Sequence, residues 1–420
     1  MEIIVVEKSP PLRGNVRING AKNSALPILA ASLLGTEDII LEDVPGLKDV
    51  EIMCEVLTSL GAKVEKLDKN VIKINSKNVN NHVTEYDLMN KMRASLLVMG
   101  PLLARLGKTR SSLPGGCAIG TRPIDLHFKG FKALGASVNT EHGNIDAHAE
   151  KLVGDKIYLD FPSVGATENI MMLATMAEGE TILDNAAMEP EIVDLQNFLN
   201  KLGANIKGAG TSTIKIKGVK KLGGGSHRII PDRIEAGTFM VASAITGGDV
   251  LVENVIASHI KPVIAKLKET GAQVIENGDN IRVIGNKNPK AIDVKTLPYP
   301  GFPTDMQAQF MAMMTLCSGT SVITETVFEN RFMHVDELKR MGADIKIDGK
   351  SAIVHGVQHL TGAPVAASDL RAGAALVLAG LVADGKTEIK NIYHIERGYD
   401  GIEERFSNLG AKIYRRKFNK

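Results

Sequence analysis

The stretch Val193-Asp194-Leu195-Gln196-Asn197-Phe198-Leu199-Asn200-Lys201-Leu202-Gly203-Ala204 is a charged, amphipathic helical pattern halted by Gly-Ala. The same stop returns as Leu60-Gly61-Ala62, Leu134-Gly135-Ala136, Thr270-Gly271-Ala272, Met341-Gly342-Ala343 and Leu409-Gly410-Ala411, with glycines 68 to 74 residues apart. A fixed period on this scale means one supersecondary unit copied along the chain. Each copy opens with an apolar helix of small residues, at 23–34, 94–106, 167–177, 235–245, 306–317 and 370–383. Helices apolar on nearly all sides are buried helices. A glycine-led turn follows each (Gly35, Gly107, Gly179, Gly247, Gly319, Gly385) and fits a left-handed cap. Next come a strand, such as 181–183 or 250–252, the amphipathic helix, and closing strands such as 214–216 or 281–284.

Buried helices with outer sheets invert the arrangement of a doubly wound sheet or a (β/α)8 barrel. The expected fold class is therefore α/β (α+β), with six units. Six units exceed one comfortable core, so two domains of three units each are expected. The crossover falls near Ser226-His227-Arg228-Ile229-Ile230-Pro231-Asp232, and residues 1–20 are placed to add strands to the C-terminal sheets.

Of the 420 residues, 44% are apolar but only 4% aromatic, and Trp is absent, so the core is built from Ala, Val, Ile, Leu and Met. A net charge of +2 gives no field that would make nucleic acid or an anionic membrane the main partner. The N-terminus lacks a basic-then-apolar leader, and the apolar run 372–383 is too short to span a bilayer. Three cysteines, Cys54, Cys117 and Cys317, cannot form a secreted disulfide framework. The expectation is a soluble protein of a reducing cytoplasm.

Gly380 to Thr387 fits the P-loop pattern, but its glycines close a helix and precede a strand, the reverse of a phosphate loop. No metal-binding motif is present, and neither metal nor cofactor is expected. The Met-rich run 306–314 reads as core.

Function should appear where one copy departs from the others, and three sets of residues do. The first lies at the starts of buried helices: Lys22-Asn23-Ser24, then Lys91, Arg93 and Ser95, then Thr304 and Asp305, then Ser368, Asp369 and Arg371. Asn23, Asp305 and Asp369 are of types that cap helices. Lys22 and Arg93 are not, because a cation is disfavoured at a helix N-terminus unless an anion binds there. The second set is Arg331 and Arg397, at equivalent places in the fifth and sixth units, either solvated surface arginines or forked anion ligands. The third is Leu113-Pro114-Gly115-Gly116-Cys117-Ala118-Ile119-Gly120-Thr121-Arg122-Pro123, a thiol in a Gly/Pro loop beside an arginine that favours thiolate. Such a loop suits a lid over substrate. Together they describe a cationic cleft between two halves, with a reactive thiol and Asp305 as candidate base. The chemistry they suit is group transfer involving phosphate.

These residues resemble the UDP-N-acetylglucosamine 1-carboxyvinyltransferases, or enolpyruvyl transferases, over essentially the whole chain. The resemblance rests on Asn19-Gly20-Ala21-Lys22-Asn23, Met92-Arg93-Ala94-Ser95, the stretch 113–127, Ser163-Val164-Gly165-Ala166-Thr167, Pro303-Thr304-Asp305-Met306-Gln307, Glu329-Asn330-Arg331-Phe332 and Asp369-Leu370-Arg371-Ala372-Gly373. It implies two inside-out α/β domains of three βαβαββ units, 21–230 and 1–20 with 231–420. It also implies transfer of the enolpyruvyl group of phosphoenolpyruvate to the 3-hydroxyl of UDP-N-acetylglucosamine through a tetrahedral intermediate. Carried over by motif, Lys22 and Asn23 meet the donor, Cys117 protonates its methylene carbon and Asp305 takes the sugar proton. Arg93, Arg122, Pro123, Ile124, Asp125, Leu126, Ser163, Val164, Gly165 and Val327 hold the UDP-sugar. Arg122 and Arg397 clamp phosphate and carboxylate, while Arg331, Asp369 and Arg371 organise the closed state. Phe161 stands where some members have lysine, which removes a basic contact to the diphosphate. A shikimate-pathway enolpyruvyl transferase and a non-catalytic UDP-sugar sensor are the alternatives. Cys117 argues against the first, and the intact Lys22, Cys117, Asp305 and Arg397 against the second.

Overall fold

The computed structural model describes residues 2–84, 86–91, 93–113 and 124–417, and the side chains of all these except 89–91 and 93–95. The third unit shows the repeat in full: strand Lys156–Tyr158, helix Val164–Ala174, strand Glu180–Asp184, helix Pro190–Lys201, then strands Asn205–Lys207 and Thr213–Lys217. Its four strands form one sheet, with Glu180–Asp184 parallel to Lys156–Tyr158 and antiparallel to Thr213–Lys217. In Thr213–Lys217, Ile214 and Ile216 are buried while Lys215 and Lys217 face water. That alternation marks a sheet covered on one face only. The helix Val164–Ala174, by contrast, is buried from Ala166 through Ala174. Each unit thus turns its sheet outward and its first helix inward.

The described residues form six such sheets, five of four strands and one of three, and the contacts divide the chain into two compact units. One holds residues 20–113 and 124–230, the other 2–19 and 231–417. Each has its own aliphatic core. In the second, helices Gln307–Met314, Arg233–Thr246 and Leu370–Val382 pack on one another, and the methionines of the first are core as the sequence predicts.

The repeats are closed by strands borrowed from far along the chain. Glu2–Glu7 lies between Lys386–Lys390 and Lys412–Lys417 and supplies the last strand of the sixth unit. Arg13–Arg17 runs parallel to Asp249–Glu253 and supplies the first strand of the fourth. Gly225–Arg228 does the same for the first unit by pairing with Asp38–Glu42. The second unit has the three-stranded sheet. Its own first strand is reduced to a single bridge from Val83 to Arg110.

All six Gly-Ala stops adopt positive φ, between 91° at Gly410 and 107° at Gly203, where a side chain is strained. The other glycine series needs two corrections. Only Gly107 and Gly247 are left-handed caps of their helices, while Gly179, Gly319 and Gly385 sit in the turn beyond. Gly35 is extended, with φ −75°. Its reason is space, since a Cβ there would lie 2.7 Å from the Gly223 carbonyl oxygen. The P-loop-like run does close helix Leu370–Val382 and precede strand Lys386–Lys390. No helix among the described residues is long and apolar enough to cross a membrane.

Candidate active site

In the unit of residues 231–417, the fifth-unit helix begins with a single turn, Thr304–Met306, that exposes Asp305 at the start of a buried element. Pro303, not Asp305, stands at the N-cap position of this turn. Its Oδ1 accepts from Arg331 Nη2 at 2.7 Å and its Oδ2 from Arg371 Nη2 at 2.9 Å. Arg331 is only 4% exposed and Arg371 2%, while the Asp305 side chain keeps 26% of its surface. Arg331 is therefore no surface arginine, and Asp305 is the solvent-facing end of a buried charge cluster.

Below it lies a polar hub. Tyr399 Oη accepts from Arg371 Nη1 at 3.2 Å and pairs with Thr238 Oγ1 at 2.9 Å. Gln309 Nε2 donates to the Asp305 carbonyl at 2.9 Å and reaches Tyr399 Oη at 3.3 Å. Burial opposes the Arg371 charge, but Asp305 and Tyr399 more than offset it and hold the guanidinium pKa above its ordinary value. The preceding residue, Thr304, donates to buried Glu325, which also takes the Val327 amide. One carboxylate thus fixes Val327 relative to the Asp305 turn. Asp369 does cap: its Oδ1 accepts from the amides of Arg371 and Ala372 at the start of Leu370–Val382. His334 is buried behind Arg331, and burial chiefly, aided by the Arg331 charge, pushes its imidazole pKa down to about 4 against the pull of Asp369. Arg397 is half-buried, ends the short helix Tyr393–Glu396, and its charge lowers the pKa of neighbouring His394 after burial has done so.

In the unit of residues 20–113 and 124–230, Lys22 begins helix Lys22–Ala31 and Asn23 follows it, half-buried. Asn23 is within the helix, whose cap is Ala21. Lys22 Nζ pairs with Asp49 Oδ2 at 3.0 Å, both side chains nearly fully buried. The cation that sequence alone found misplaced at a helix N-terminus thus has a buried carboxylate to balance it. Ser163 Oγ caps Val164–Ala174 by accepting from the Ala166 amide. Val164 and Gly165 form its first turn, and a Cβ on Gly165 would sit 3.5 Å from the His127 ring. Ile124 precedes helix Asp125–Ala133, which contains Leu126 and buried His127. Asn169 joins these pieces, meeting His127 Nδ1 at 3.1 Å and accepting from the Gly100 amide at 2.7 Å. Phe161 is 46% exposed, two residues before the Ser163 cap.

Cys117, Arg122 and Pro123 lie outside the described residues, as does the Arg93 side chain, although residue 93 opens the 3-10 helix Arg93–Val98. Cys317 is buried, with its thiol pKa pushed up to about 12. Cys54 is half-buried, and burial, aided by Glu51 and Glu55, raises its thiol pKa to about 11. Neither is a ready thiolate at neutral pH. Among the described residues no group of three His, Cys, Asp or Glu is placed to hold a metal.

Solved structures share this architecture. The enolpyruvyl transferase NikO from Streptomyces tendae superposes with a TM-score of 0.89 over 99% of this chain and 98% of its own, at 23% identity. EPSP synthase from Acinetobacter baumannii does so at 0.76, covering 99% of this chain at 19% identity. The family model for EPSP synthase (3-phosphoshikimate 1-carboxyvinyltransferase) matches residues 6–406, so the chain belongs to this enolpyruvyl transferase family. Within it the chain is 65% identical to UDP-N-acetylglucosamine 1-carboxyvinyltransferase 1 of Caldanaerobacter subterraneus subsp. tengcongensis, over 98% of this chain and 99% of the relative. It is 66% identical to UDP-N-acetylglucosamine 1-carboxyvinyltransferase of Finegoldia magna, over 99% of each.

Proposed function

We propose that this chain moves the enolpyruvyl group of phosphoenolpyruvate onto the 3-hydroxyl of UDP-N-acetylglucosamine and releases phosphate, a step that supplies peptidoglycan precursors. The observation that carries this reading is near-full-length identity of about two thirds to proteins of that name. The Asp305 cluster supports it with a partly exposed carboxylate among anion-binding guanidiniums. The two domains of the transferase are 21–230 and 1–20 with 231–420.

The reaction runs in two halves. The sugar oxygen bonds to the donor's C2 as Cys117 gives a proton to its methylene carbon, and Asp305 takes the hydroxyl proton. The resulting tetrahedral phospholactoyl adduct then loses a proton from the new methyl group, and its C–O bond to phosphate breaks. Lys22, Asn23, Arg122, Arg331, Arg371 and Arg397 bind the donor's two anionic groups. Fixed cations of this kind stabilise developing charge without reorganising. Arg93, Arg122, Pro123, Ile124, Asp125, Leu126, Ser163, Val164, Gly165 and Val327 hold the UDP-sugar, and Asp369 supports the Leu370–Val382 helix start. A carboxylate paired on both oxygens is a poor base. Asp305 acts only when an anionic substrate draws one guanidinium away.

Mass spectrometry of a mixture of protein, donor and UDP-sugar should show the acceptor enlarged by one enolpyruvyl group. The product should vanish in Cys117→Ala and persist in Cys117→Asp, whose acid still donates a proton. Full product formation by Cys117→Ala would remove the thiol from the mechanism.

A further inference from the structure

Asp194, on helix Pro190–Lys201, belongs to no part of the site above, yet its buried carboxylate gathers three donors from two other segments. Ser24 Oγ donates to Oδ2 at 2.5 Å, and the Ile230 amide reaches the same oxygen at 3.3 Å. His227 Nε2 meets Oδ1 at 2.9 Å. The Ile230 carbonyl in turn accepts from the Ala21 amide at 2.7 Å. The residue before Lys22 and the residue after Asn23 are thus tied to one carboxylate, Ala21 through Ile230 and Ser24 directly. This helix start has no side-chain cap and no acid in its first turn; apart from these ties, Asp49 holds the Lys22 ammonium.

We propose that Asp194 is a positioning residue that clamps the Lys22-Asn23 pair from both sides, a role that rests on the reading of those two as donor contacts. A carboxylate accepts several donors at once, whereas an amide of the same shape offers one acceptor oxygen and adds two donors of its own. Asp194→Asn therefore keeps the volume but leaves at least one tie unmade. Ser24→Ala cuts only the direct tie and leaves Asp194 its other two donors.

Initial rates with both substrates varied separate this role from a general core staple. Asp194→Asn should raise the KM for phosphoenolpyruvate about tenfold and leave that for UDP-N-acetylglucosamine within twofold. Ser24→Ala should raise the donor KM several-fold, and the double variant should be no worse than Asp194→Asn, because the two changes break one linkage. Equal rises in both KM values, or a donor KM unchanged in Ser24→Ala, would overturn the clamp. Amide hydrogen exchange reads the same linkage without turnover: residues 22–25 should exchange at least tenfold faster in Ser24→Ala than in the wild type, and unchanged exchange would overturn it. A wild-type protein inert toward this substrate pair would sink the functional reading, and exchange would still decide on the clamp.

Discussion

Asp305 binds two guanidinium groups at once, and in the proposed mechanism it acts as a base when one lets go. Asp305→Asn should keep the fold and lower kcat by about 10²–10⁴-fold, the range for loss of a general base, as followed by phosphate release. Tyr399→Phe leaves the ring 5.6 Å from Arg371 and removes only the hydroxyl shared by Arg371, Gln309 and Thr238. It should cost about 1–3 kcal/mol, the penalty for stranding buried donors, seen as a lower urea midpoint at unchanged m. His334 gives a pH signature. Its folded pKa, about 4, lies below the ordinary 6.5, so the unfolded chain binds the extra proton first. The stability that His334 contributes is fully present above pH 6.5 and is lost as pH falls toward 4. In His334→Gln the gap between urea midpoints at pH 7 and pH 4.5 should shrink. At this scale the sequence shows residues that break the repeat, which is how Asp305, Arg331 and Lys22 stand out. Asp49, Glu325, Tyr399 and Asp194 stay hidden because each looks ordinary in its own element. Their importance comes from partners 21 to 170 residues away, as with Thr304 to Glu325 and Ser24 to Asp194.

The elements were more legible than the contacts. Six Gly-Ala stops announced six units because only glycine sits easily at φ near +95° after a helix. Gly203→Ala meets no atom within 4 Å, so it should fold and lose about 1–3 kcal/mol to backbone strain alone. Gly218→Ala places its Cβ 1.6 Å from the Ala177 carbonyl oxygen and should yield little soluble protein. Comparable thermal midpoints for the two would contradict this division between strain and collision. The glycine series after the buried helices misled at Gly35 because a close approach and a left-handed turn leave the same letter in the sequence. The reduced fourth strand of the second unit was illegible too, since one bridge at Val83 leaves no alternating pattern.

Across the whole molecule, the chain ends explain the domain arithmetic. The first and fourth units lack their first strand and the sixth its last, and segments distant in sequence fill these gaps. Glu2–Glu7 is an inner strand of its sheet, so deleting residues 2–19 should leave the body of residues 231–417 open along two sheets. Limited proteolysis should then degrade that body while fragments of 20–230 persist. Equal survival of both would refute the closure. The choice of acceptor remains the central claim, because a shared fold and donor also fit 3-phosphoshikimate 1-carboxyvinyl transfer. Phosphate release from phosphoenolpyruvate, measured with UDP-N-acetylglucosamine and with shikimate 3-phosphate in parallel, decides it. Release is expected with the UDP-sugar and none above background with the shikimate ester; the opposite pattern would refute the proposed acceptor.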